Sequence, residues 1–259
     1  LNVKLKKELE EKFDNVKVII PPKNIGISAG YNLGIKESKT NLVFLNPTDV
    51  VITNKCLENL EECISKIKDF ALLAPTYDDE SVYKNYEIFD QEKIDKSFEN
   101  EIFEKYQVNE VDFIDNDFIL NKKHFENIGF FDENIFLYYE ELDFYFRCLK
   151  SGLSIYLIDE AKTAHLGASS INKKFIKEIS INRNWHYNWS KFYYFKKNFG
   201  YFFALKKIFP NFIRSIKNML ITKIYRKKEY HHHKAEFLGI ISSVFNRPSS
   251  YRPFEKDNY

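Results

Sequence analysis

Short apolar runs separated by helix-length segments constrain this chain more than any other feature. Leu42-Val-Phe-Leu45 and Phe70-Ala-Leu-Leu-Ala74 are continuous apolar stretches of the length that a strand buried on both faces needs. Between them, Asn46-Pro-Thr-Asp49 stops the first run, and Asn54 is placed to cap a helix reaching about Ile67. Strands alternating with helices predict βαβ units and an α/β fold with a mostly parallel sheet flanked by helices. Leu5, Leu9 and Phe13 recur at four-residue steps, predicting a helix over 1–13. Val16-Lys-Val-Ile-Ile20 reads as a strand ended by Pro21-Pro22, and Val111–Leu120 and Leu153–Ile158 as further strands. Residues 78–110 are acidic and weakly patterned, which predicts a long irregular excursion; from about Phe175 only helices and loops are expected.

At 259 residues the chain fits one large domain, or a domain with an appendage. Its hydrophobic fraction of 44% supplies a core, so disorder is excluded for most of the length. Cys56, Cys63 and Cys148 are odd in number and lack metal-type spacing, which points to buried thiols in a reducing cytoplasm. No charge-free run of transmembrane length and no signal peptide is present. The chain begins with Leu1 and has a single methionine, Met219, so a piece of a longer protein or a processed product is expected.

The net charge of +2 hides an asymmetry. Residues 179–228 carry 12 Lys or Arg and no acid, and 229–259 balance, which leaves −10 on residues 1–178. A basic stretch interleaved with Phe, Tyr and Trp suits either an anionic membrane surface or RNA; no nucleic-acid motif supports RNA, so no nucleic-acid partner is expected. The adjacent His231, His232 and His233 point in different directions on a helix and read as a solvated or lipid-facing stretch.

Four stretches carry candidate chemistry. Asn24-Ile-Gly-Ile-Ser-Ala-Gly-Tyr-Asn-Leu-Gly34 is a glycine- and asparagine-rich turn opening a helix. Glycines permit positive φ and close backbone approach, and a helix N-terminus favours an anionic group. The same residues also serve a loop that merely needs those conformations. Leu45-Asn-Pro-Thr-Asp49 lies at the carboxyl end of a strand, where open sheets bind ligands; a local cap is the competing role for Asp49. Glu140, Glu141 and Asp143 open a helix, with Leu142, Tyr145, Phe146 and Leu149 as its core-facing stripe and Arg147 set to pair with Asp143 on its surface. Acids in a first turn also simply favour the helix dipole. His165-Leu-Gly-Ala-Ser169 follows the next strand, and a lone His is more often structural.

In this order, with Gly129-Phe-Phe-Asp-Glu133 and Phe136-Leu-Tyr-Tyr139 ahead of the acids and Tyr251-Arg-Pro253 at the close, the elements resemble family 2 glycosyltransferases. These are inverting enzymes of the GT-A fold, and the likeness is greatest to their rhamnosyltransferase-like branch. The resemblance runs from about Asp14 to Pro253. It implies donor contacts at Asn24, Gly26, Gly30, Asn32 and Asn46, a Mg²⁺ or Mn²⁺ held near Asp49 and His165, and Glu141 as general base. Glu140, Asp143 and Arg147 would support the acceptor side. The implied substrates are a nucleotide-diphosphate sugar and a saccharide or lipid-linked acceptor, in cell-surface polysaccharide or glycolipid assembly on the inner face of the membrane.

The chain departs from the family pattern at several points. Thr48 and Asp49 are swapped, Gly167 comes one residue early after His165, and Glu141 stands for Asp, adding about 1.5 Å of reach. The family's opening strand–helix–strand unit, roughly 30 residues, has no counterpart. Residues 1–178 are thus expected to form an N-terminally incomplete transferase domain and 179–259 a helical region. The alternative is a truncated or degenerate transferase that binds membrane or partners without catalysis. A dinucleotide-binding oxidoreductase is disfavoured, because the glycine spacing and a downstream acidic ribose partner are both missing.

Overall fold

A computed structural model describes residues 3–67, 69–78, 86–87, 105–114, 117–166, 175–225 and 227–252. Helix α1 spans Val3–Lys12 and α2 Ile27–Glu37; strands β1 (Leu42–Leu45) and β2 (Val50–Ile52) precede α3, Asn54–Lys66. The cap of α3 is Thr53 rather than Asn54: its hydroxyl accepts the Cys56 N–H at 3.1 Å. Next come β3 (Leu72–Tyr77), β4 (Tyr86–Glu87), β5 (Val108–Glu110), β6 (Phe113–Ile114) and β7 (Phe118–Asn121). Helix α4 (Lys122–Ile128), α5 (Glu140–Lys150) and β8 (Ile155–His165) complete the α/β part. Three long helices follow among the described residues: α6 (Ile176–Phe199), α7 (Tyr201–Tyr225) and α8 (Lys227–Val244).

The sheet is mixed, which corrects the expected parallel one. Its order is β1-β7-β3-β8-β2 with β5 also beside β8; among the described residues only β3 and β8 run parallel, and the other pairs are antiparallel. β7 returns between β1 and β3 against both, and β2 turns back to join the far end of β8. Val16–Ile20 forms no strand among the described residues: the order ends at β1, so this β-prone run has no ladder to join. Most of the 78–110 excursion lies outside the described residues.

All six residues of β3 are buried, because both faces of the sheet are covered. Leu72 and Ala74 face one core cluster with Phe125, Phe144 and Cys148 from α4 and α5; Leu73 faces the other, with Cys56, Leu60 and Cys63 from α3. Pro75 sits where the β3–β8 register shifts, at the kind of bulge that tolerates a residue lacking an N–H. All three cysteines are free and buried, and burial pushes each thiol up to about 12.

The helical region is packed onto this body. Ser190 of α6 donates to the Leu137 carbonyl at 2.8 Å, and Tyr193 reaches Asp132 at 3.0 Å. Buried His186 bridges Ser249 and the Tyr251 carbonyl, both at 2.9 Å, while Arg252 lies over the Phe136 ring. Pro253 and Ser169 lie outside the described residues. At Gly239, α8 passes so close to the Trp185 backbone of α6 that any Cβ would collide with it.

Candidate active site

The glycine-rich turn acts as a clasp. Asn24 accepts the Gly26 N–H at 3.1 Å, and Gly26 takes φ 85°. That conformation brings Ile27 N–H to the Phe136 carbonyl at 2.9 Å and the Ser28 hydroxyl to the Ile135 carbonyl at 2.6 Å. One turn on, the Asn32 amide donates to the Phe131 carbonyl and to Glu133, both at 2.9 Å, and accepts the Phe131 N–H at 3.0 Å. The first motif therefore holds residues 131–136, which lead into the acid-bearing helix. A Cβ on Gly26 would stand 2.6 Å from the Phe136 ring and 2.7 Å from its carbonyl oxygen. Gly26→Ala is expected to cost about 1–3 kcal/mol from positive φ and overpacking together, read as a lowered urea midpoint.

Tyr138 and Tyr139 both have positive φ, 66° and 69°. Two adjacent bulky residues in this region are strained, and strain of this kind gathers where the surrounding structure fixes a functional geometry. The bend starts α5 at Glu140 and aims its first turn into a cleft. The core face of α5 is Phe144, Tyr145 and Cys148, with Glu140 and Asp143 buried beside them, while Leu142, Phe146 and Leu149 are half-buried. This corrects the expected stripe at Leu142, Phe146 and Leu149, while Tyr145 faces the core as expected. Asp143 and Arg147 do pair, at 3.0 Å, but inside the protein rather than on its surface. Asp143 also accepts from Lys197 at 2.8 Å and Asn198 at 3.1 Å. Arg147 donates to the carbonyls of Ile128, Gly129 and Phe130, fixing the loop from below.

The cleft, about 490 Å³, is lined by Ile27 and Tyr31 of α2, Pro47, Phe113, the 137–142 segment including Glu140 and Glu141, and Arg183 and Tyr187 of α6. Pro47 belongs to the Asn46–Asp49 turn, which is closed by the Val50 N–H on the Pro47 carbonyl at 3.2 Å and by Asn46 on the Val50 carbonyl at 3.3 Å. β2 then pairs with β8, Val50 opposite His165, so Asp49 meets the strand end that carries the imidazole. His165 Nε2 lies 3.5 Å from Asp49 Oδ2, and its ring stacks on Tyr77 at 5.2 Å. The Leu166 N–H donates to the Asp49 carbonyl at 2.8 Å. Segments separated by over a hundred residues thus converge on one rim of the sheet.

No protein-family model matches the chain. It is 24% identical over 234 residues to the dTDP-rhamnosyl transferase RfbF of Shigella flexneri, covering 86% of this chain and 74% of that one. Among solved structures it is similar to GalNAc-T7 with UDP, GalNAc and Mn²⁺, at a TM-score of 0.52 and 12% identity. That match covers 78% of this chain and 44% of the other, so the chain spans less than half of the neighbour's length. Its fold is GT-A-like.

On this GT-A-like sheet the candidate residues fall into three groups. Glu140 and Glu141 line the cleft, and Asp49, two residues beyond the cleft residue Pro47, pairs with His165. Asn32 and Arg147 bond the segment before the acids directly, Asp143 holds Arg147, and the Asn24–Gly26 turn places Ile27 and Ser28 for their bonds to Phe136 and Ile135. A Cβ on Gly30 would meet open space, and the Asn46 side chain closes its own turn. Sequence reasoning missed Ile27, Tyr31, Phe113, Arg183 and Tyr187 as cleft residues. Arg183 and Tyr187 are four apart on one face of α6, but the basic aromatic composition around them pointed to a membrane rather than to a cleft.

Among the groups lining the cleft, the proton acceptors are few. Burial pushes the Tyr138 and Tyr139 hydroxyls up, with the Tyr187 hydroxyl adding to the effect at Tyr139. Both therefore stay protonated near neutrality. Glu140 is buried, whereas Glu141 is half-exposed to the cleft.

Proposed function

We propose that the chain transfers a sugar from a nucleoside-diphosphate sugar to an acceptor hydroxyl with inversion at the anomeric carbon. The observation that carries this reading is the shared cleft of Glu141, Pro47 and the α2 residues Ile27 and Tyr31, with the Asp49–His165 pair two residues beyond Pro47. Glu141 takes the proton of the acceptor hydroxyl. The oxygen forms its bond to the anomeric carbon as the bond to the diphosphate oxygen breaks, and the diphosphate leaves with the electron pair. Attack comes from the face opposite the leaving group, which inverts the centre. Arg183, the one cation lining the cleft among the described residues, is placed to meet an anionic portion of a substrate.

Asp49 and His165 fit a divalent cation as a partial donor set, one hard carboxylate oxygen and one imidazole nitrogen 3.5 Å apart. Among the described residues no third His, Cys, Asp or Glu joins them, so diphosphate oxygens and water would complete the shell. A bound Mg²⁺ or Mn²⁺ supplies charge neutralisation for the departing diphosphate. The names of the similar proteins make dTDP-rhamnose and UDP-sugars the first donors to try.

The test is nucleoside-diphosphate release from a panel of nucleotide sugars by the full chain, with saccharide and lipid-linked acceptors. Release should depend on acceptor and fall on chelation, and Asp49→Asn should weaken Mn²⁺ binding by about ten- to a hundredfold in calorimetry. Product NMR should show the inverted anomer. A panel in which no donor is bound or turned over would favour a non-catalytic role instead.

A further inference from the structure

Helix α7 carries apolar residues on two opposite faces, and among the described residues only one is covered. Ala204, Ile208, Ser215 and Thr222 are buried on the side packed against α6 and α8. Phe202, Phe209, Ile213, Leu220 and Ile224 follow at steps of 7, 4, 7 and 4 residues. On a helix of 3.6 residues per turn this spacing aligns them in one stripe, about 33 Å long, on the side away from the packed face. Their exposure runs from 47% at Ile213 to 84% at Phe202. Large apolar residues scattered singly on a surface are ordinary; an ordered stripe of five marks a surface that something covers.

The charges around the stripe indicate what covers it. α7 has Lys206, Lys207, Arg214, Lys217 and Lys223 and no Asp or Glu. Helical geometry puts exposed Lys206 and Lys217 along one edge of the stripe and exposed Lys223 along the other. Arg214 points elsewhere, to Glu236 at 2.7 Å. A second copy of the chain would bring one lysine-edged stripe against another, which like charges oppose. An anionic lipid surface matches both parts, accepting the apolar row below its headgroups and the lysines at its phosphates. No described helix is long and apolar enough to cross a membrane, so α7 would lie in the plane of the surface.

We infer that the Phe202–Ile224 face of α7 docks the protein on an anionic bilayer. Beside this face, Phe203 packs on Phe195 at 5.8 Å, and Phe195 on the cleft residue Tyr139 at 6.4 Å, so a chain of rings links α7 to the cleft wall. The inference does not depend on the transfer chemistry, and turnover of a soluble donor reads that chemistry separately.

The experiment is sedimentation of the full chain with phosphatidylcholine vesicles, with and without phosphatidylglycerol. Strong binding is expected only when phosphatidylglycerol is present. The triple change Phe209→Ser, Ile213→Ser and Leu220→Ser should lower partitioning by about tenfold or more. Lys206→Glu with Lys217→Glu should remove the preference for anionic lipid. Both variants should keep the far-ultraviolet circular dichroism and donor turnover of the parent. Equal binding to both vesicle types, or undiminished binding by both variants, would overturn the inference. So would a concentration-dependent dimer that the serine variant dissolves without any vesicle binding, because a second copy would then be the occupant.

Discussion

Glu141→Gln is expected to lower transfer by about a hundred- to ten-thousandfold, the range that a positioned general base contributes, with the melting temperature unchanged. Gln keeps the volume and one carbonyl oxygen of Glu but cannot accept the acceptor's proton. Because Glu141 is half-exposed at the cleft and outside the buried cluster of α5, its replacement leaves the packing of Phe144, Tyr145 and Cys148 intact. The loss should fall on kcat rather than on KM for the donor, since the base acts on the other substrate. Glu141→Asp provides the graded control: drawing the carboxylate back by about 1.5 Å should cost up to about a hundredfold if the cleft is built for the longer side chain. Full turnover in the Gln variant would move the base elsewhere, with Glu140 the next carboxylate in the cleft.

The sequence was most readable where chemistry is local. Leu42–Leu45 forms a strand with the expected bounds, and the acid-led helix begins at Glu140. It was least readable where a residue's partner lies far along the chain. The resemblance implied donor contacts at Asn32 and Gly26; in the structure the Asn32 side chain bonds Phe131, and Ile27, next to Gly26, bonds the Phe136 carbonyl, each about a hundred positions away. Nothing in a local motif names such a partner. The Asp49–His165 pair was expected from the resemblance, and its physical cause is the antiparallel β2–β8 register that a parallel-sheet expectation lacks. The stripe on α5 was misassigned because a hydrophobic periodicity excludes charge from the core, whereas Asp143 is buried and paired. Its cations sit four and fifty-four residues downstream, at Arg147 and Lys197, and the second came from a stretch read for its surface charge.

That buried cluster yields the largest expected effect on stability. Asp143 is fully inaccessible and serves Arg147, Lys197 and Asn198 at once, so Asp143→Asn changes almost no volume but leaves two cations without their shared counter-charge. Breaking a buried pair by removing one partner costs about 3–5 kcal/mol, a large share of the roughly 5–15 kcal/mol that holds a domain together. The low end is expected, because Lys197 keeps Asp132 at 2.8 Å and Arg147 keeps three carbonyls. A double-mutant cycle with Lys197→Met separates the pair from its surroundings: the two changes should sum to more than the double variant loses, since the second removes a cation the first left unpaired. Urea midpoints give the free energies. The same cluster ties α5 and the 128–130 loop to α6, so donor turnover of folded Asp143→Asn should also fall, without a change in its pH profile. A midpoint shift worth less than about 1 kcal/mol would mean that water reaches this cluster, and that the acid-bearing loop is held by the Ile27, Ser28 and Asn32 bonds instead.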